Sequence, residues 1–110
     1  MKATLIHHFL EHSAERLPDK VALVHEEVRA TYRQINNQAN HLARYLLESG
    51  VQPGDRVLPL LENSLEYVVA YYGTLKSGAI AVPLNTELKP NGLVPLLEEL
   101  EASCLITSRR

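Results

Sequence analysis

The sequence has no tryptophan, one phenylalanine and one cysteine. A single thiol, Cys104, cannot close an intrachain disulfide, so a reducing compartment suits the chain and a cytoplasmic location is expected. Basic residues are not in excess: 11 Lys and Arg stand against 13 Asp and Glu, a formal net charge of -2. No basic stripe runs along any segment, which argues against nucleic acid as a partner. Long apolar runs are also missing. Met1 to Leu10 carries Lys2, His7 and His8 and has no extended apolar core, so it predicts neither a signal peptide nor a membrane span. The glycines, Gly50, Gly54, Gly73, Gly78 and Gly92, are scattered. A phosphate-binding loop needs them clustered, so that the backbone can approach pyrophosphate at a helix start. A dinucleotide fingerprint is therefore excluded. So is the nucleophile elbow of an α/β hydrolase, since no Gly-x-Ser-x-Gly occurs.

What is present is an ordinary globular composition, 45% hydrophobic and 22% charged, over one small domain's length. Ile6, Phe9, Leu10, Ser13 and Leu17 recur at helical spacing, with Thr4 able to cap the start and Pro18 ending the segment. Val21 to His25 and Val28 to Thr31 read as a hairpin around Glu26-Glu27, although no Asn-Gly or Asp-Gly marks the turn. Thr31-Tyr32-Arg33-Gln34 has the form of a capping box. The helix that follows puts Tyr32, Ile35, Ala39, Leu42, Ala43 and Leu46 on its apolar face and Arg33, Asn36, Asn37, Asn40 and Arg44 on its wet face. It stops at Gly50. Arg56 to Leu61 reads as a buried strand in conflict with Pro59, which cannot donate to a ladder. Asn63-Ser64 opens another helix, with Leu65, Val68, Val69, Tyr72 and Leu75 expected to face the core. Ala79 to Pro83 reads as a second buried strand, Pro90 to Glu101 as a helix and Cys104 to Ile106 as a last short strand. Alternating strands and helices imply right-handed crossovers, hence a three-layer α/β fold with a mainly parallel sheet behind a short N-terminal hairpin.

Residue chemistry points to no catalytic site. His8, His12 and Glu15 share a helix face at metal-ligand spacing, but a surface patch offers no closed tetrahedral shell. Cys104 sits beside Leu105 and Ile106 and reads as an inert core thiol. Tyr67, Tyr71 and Tyr72, at helical spacing, read as packing residues with their hydroxyls at the edge. Glu98, Glu99 and Glu101 form a solvated face. On this reading the chain has no catalytic, cofactor-binding or metal-binding residues of its own.

The ordered set of motifs is more specific than its parts. Thr31-Tyr32, a helix, then Gly50-Val51-Gln52-Pro53-Gly54-Asp55-Arg56-Val57 resembles the first core motif of the adenylate-forming superfamily. Asn63-Ser64 with Glu66 resembles that family's next helix start. Leu75-Lys76-Ser77-Gly78-Ala79 with Val82-Pro83-Leu84-Asn85 resembles its second core motif, and Leu105-Ile106-Thr107 the strand after it. The superfamily comprises acyl-CoA synthetases, adenylation domains of nonribosomal peptide synthetases, and luciferases. Val82-Pro83-Leu84-Asn85 is closer to the acyl-CoA synthetase branch.

The resemblance implies that residues 1–110 are the N-terminal part of an AMP-forming acyl ligase, truncated before the phosphate loop. The parent would use ATP, magnesium and CoA. The chain itself would hold no cofactor, would be inactive alone, and would have the remainder of the parent as its partner. A homodimer through an exposed sheet edge or helix face is also expected. The alternative, from another class, is a free-standing interaction module without chemistry.

Overall fold

The computed structural model describes residues 6–62, 64–84 and 86–107. The cap assigned to Thr4 and the tail 108–110 lie outside them. The described elements are α1 (Ile6–Arg16), β1 (Val21–His25), β2 (Val28–Thr31), α2 (Tyr32–Glu48), β3 (Arg56–Leu60), α3 (Leu65–Lys76), β4 (Ile80–Ala81), α4 (Pro90–Glu99) and β5 (Ala102–Thr107).

The hairpin forms without a glycine. β1 and β2 pair antiparallel, with His25 opposite Val28. Glu26 closes the turn at φ 56, a left-handed conformation that asparagine or glycine adopts more easily. The capping box at Thr31 is complete. The Gln34 N–H donates to the Thr31 hydroxyl at 3.2 Å, and the Thr31 N–H donates to Gln34 Oε1 at 2.8 Å. Two orphan donors of the first turn of α2 are thereby satisfied. Ile35, Ala39, Ala43 and Leu46 are buried along this helix, the stripe expected from its period. Asn36, expected on the wet face, is instead half-buried, and its Oδ1 has no hydrogen-bond partner. Gly50 ends the segment at φ 99.

β3 is the centre of a three-stranded parallel sheet in the order β4-β3-β5. Pro59 stays in the strand, buried and opposite Ile106. Its effect falls on the other neighbour. The carbonyls of Val57 and Pro59 accept from the N–H groups of Val82 and Leu84, at 3.0 and 2.9 Å. The N–H that proline lacks would point to that same side, so the β4 ladder stops after Ala81. The strand expected over 79–83 is thus two residues long. Ile80 lies on the sheet edge and is exposed rather than buried. The last strand is longer than expected, starting at Ala102.

The buried stripe of α3 is Ala70, Gly73 and Thr74, and not the larger residues the period suggested. Small side chains let α2 and α3 approach closely. A Cβ on Gly73 would fall 2.8–3.0 Å from the Leu42 side chain. Leu65, Val68 and Tyr72 pack at one end of the helix pair, against Leu10, Ala30, Ile35 and Ala39. At the other end, Leu46, Val51, Val57 and Ala79 form a second core that includes Cys104 and Ile106. The helix pair therefore separates the α1–hairpin unit from the sheet. The two crossovers run in opposite directions from β3, and the right-handed rule then assigns α3 and α4 to opposite sheet faces, in keeping with the expected three layers.

Candidate functional site

From β3 the chain crosses to one side to build β4, then returns over β3 to build β5. The switch point lies at the carboxyl end of β3, where ligands of open parallel α/β sheets bind. A cleft of about 590 Å³ opens there. Leu60 and Leu61 line its floor, with Thr107 at the end of β5 and Thr86 beyond β4. The hairpin tip contributes His25, Glu26 and Val28, and the start of α3 contributes Glu62, Ser64, Leu65 and Glu66.

Local folding rules place these groups. The Ser64 hydroxyl accepts from the Tyr67 N–H at 3.2 Å and donates to the Glu62 carbonyl at 2.9 Å. That fixes the entry of the chain into α3 and turns Glu66, in the acidic first turn, toward the favourable end of the helix dipole. Among the described residues the charged lining is Glu26, Glu62 and Glu66, with no lysine or arginine. An acid-lined cleft repels polyphosphate, and stabilising phosphoryl charge requires cations or aligned N–H donors. Among the described residues no three His, Cys, Asp or Glu side chains converge on a metal position.

The other candidates from the sequence lie elsewhere. His7 and His8 stack edge to face at 4.5 Å on α1. His7 titrates below its ordinary value because burial and the His8 and Lys76 charges outweigh the pull of Glu11. Burial pushes the Cys104 thiol up, away from thiolate chemistry. Burial also raises Tyr72, with Tyr71 and Tyr32 adding to the effect, and Tyr71 stacks against it at 5.6 Å. Tyr72 lines a smaller apolar cavity of about 370 Å³ between α1 and the hairpin, with Leu10, Leu23, Tyr32 and Ile35. Tyr72 packs on the first core with Tyr71 against it, and no tyrosine lines the strand-end cleft. Sequence reasoning names Ser64, Glu66 and Thr107 as motif positions but assigns none of the cleft residues to a site. Their signal is topological: they follow the carboxyl ends of strands whose order sequence alone does not give.

The family model for the AMP-binding enzyme matches residues 10–110. This chain belongs to the AMP-binding enzyme family. Among curated relatives in that family, a linear gramicidin synthase from Brevibacillus parabrevis is 39% identical over 93% of the chain, which covers 1% of that protein. Tyrocidine synthase 1 of the same organism is 38% identical over 94% of the chain, covering 10% of it. The fold agrees. The AMPPNP-bound peptide synthetase FmoA3 superposes with a TM-score of 0.93 at 31% identity, over 99% of this chain and 12% of that one. The N-terminal domain of FACL13 from Mycobacterium tuberculosis gives 0.86 at 36%, over 92% and 26%. The Klebsiella oxytoca NpsA N-terminal subdomain, bound to 3-hydroxyanthranilyl-AMSN, gives 0.86 at 28%, over 94% and 27%. The chain thus spans a small part of each AMP-binding relative. No helix among its described residues is long and apolar enough to cross a membrane.

Proposed function

We propose that the chain is the N-terminal scaffold of an AMP-forming acyl ligase and does no chemistry alone. In the intact enzyme a carboxylate displaces pyrophosphate from ATP to give an acyl adenylate, and a thiol then takes the acyl group and releases AMP. The supporting observation is the cleft at the strand ends. It lies where this fold class binds ligands, yet its charged lining is acidic. The phosphate loop, the magnesium ligands and the catalytic lysine expected of the family would have to come from the remainder of the parent. That remainder is also the natural cover for the open edges at β4 and β5, and in its absence a second copy of the chain can take the same place.

For the acceptor, the peptide synthetase relatives favour a carrier-protein thiol, whereas Val82-Pro83-Leu84-Asn85 favours CoA. We propose the carrier thiol, because identity spread over the whole chain outweighs one short segment. Titration calorimetry of the chain with ATP and magnesium tests the scaffold reading and should show no specific heat. A site of micromolar affinity, worth about -8 kcal/mol, would refute it. Pyrophosphate exchange by the full-length protein, followed by a chase of the labelled acyl group onto CoA or a carrier protein, identifies the acceptor.

A further inference from the structure

Outside the cleft, the strongest concentration of ionisable groups is where α1 docks on α3. Lys76 ends α3 with its side chain 6% exposed, and its ammonium meets Glu11 of α1 at 2.6 Å. A lysine so enclosed depends on its carboxylate, because a buried charge without a partner is strongly unfavourable. One turn earlier on α1 stand His7 and His8, ring against ring at 4.5 Å. The charges acting on His7 are His8 and Glu11 from its own helix and Lys76 from α3. The other helix packed against α1, α2, adds none to that set. Both a cation on His7 and the Lys76 ammonium would thus rely on the one carboxylate of Glu11.

We propose that this cluster is a proton-sensitive latch, in which protonating His7 puts a cation against His8, one turn from the Glu11–Lys76 pair, and releases α1 from the α2–α3 pair. The released helix carries Leu10, a buried member of the first core, and Phe9 and Ser13, which wall the apolar cavity behind it. Undocking therefore opens that cavity. The direction follows from linkage. His7 titrates below its ordinary value of 6.5 when docked. The released state therefore binds more protons, and docking weakens as pH falls through that range. Glu11 stays ionised throughout it, since Lys76 holds its carboxyl below the ordinary 4.5 against the opposing effect of burial.

Amide hydrogen exchange on the whole chain, expressed as protection factors, tests the latch between about pH 7.5 and 5.5, the window in which imidazole titrates. The α1 amides should lose protection severalfold while those of α2 and β3 keep theirs. His7→Gln should hold α1 protection high at both pH values. Lys76→Gln, which removes the neighbouring cation, should flatten the step as well. Equal loss across α1, α2 and β3 would overturn the latch, as would the same step persisting in His7→Gln. Low α1 protection at both pH values in His7→Gln and in His7→Phe would overturn it too, by showing that ring packing, not protonation, holds the helix.

Discussion

A methyl group added at Gly73 would lie 2.8–3.0 Å from three side-chain carbons of Leu42, one of them the β-carbon, which cannot swing away. In an exposed helix, glycine to alanine gains about 1 kcal/mol. Here overpacking costs about 1–3 kcal/mol, so Gly73→Ala should destabilise overall. Urea unfolding should show a lower midpoint, and the loss should shrink in a Leu42→Ala background. At Glu26 the sign reverses. Its φ of 56 is unfavourable for a glutamate, so Glu26→Asn should stabilise by up to about 1 kcal/mol, read as a raised Tm. Residue signals of these kinds are unequally legible. The stop at Gly50 is visible because glycine after an apolar period has few other uses. The Asn36 burial and the Gly73 contact are not visible, because both depend on which helix lies alongside.

Among the helices, the side-chain caps divide the strong from the weak. Thr31 and Ser64 both accept from an N3 amide, and both starts are readable as short polar residues before an apolar period. Thr31→Ala should cost about 1 kcal/mol and weaken the join between β2 and α2. α4 has no side-chain cap and carries Pro95 in its interior, where a proline removes one internal hydrogen bond. Its amides should be the least protected of the four helices, and Pro95→Ala should raise their protection. If α4 exchanges as slowly as α2, that ranking is wrong. The period of α3 misleads because its contact stripe is made of small residues, whereas apolar periodicity registers large ones. The shortened β4 has a covalent cause, since one missing N–H at Pro59 ends pairing on the side facing Val82. Pro59 is a visible conflict in the sequence, but which neighbour loses its partner depends on strand order.

At the scale of the whole chain, alternation of strands and helices points to the parallel sheet and its layers, and the ordered motifs point to the family. The strand-end cleft cannot be read that way, because its walls come from the hairpin tip, the start of α3 and two strand ends far apart in sequence. The same view leads to the last prediction. β4 and β5 are the two edges of the sheet, and β5 presents six residues whose outer backbone groups have no neighbouring strand among the described residues. Ile80 on the β4 edge and Val94 on α4 are each about half exposed. Free edges pair with other chains unless they are covered or charged. Ser103 and Thr107 are the exposed polar positions on β5, and neither carries a charge. Covering a few hundred Å² of apolar surface is worth several kcal/mol at about 25 cal/mol per Å², before the cost of association. The isolated chain should therefore gain mass with concentration in light scattering. Ser103→Lys, which places a charge on the edge without touching either core, should shift it toward the monomer. A monomer persisting at high micromolar concentration, with no binding of a hydrophobic dye, would show that the edge is already protected within the chain.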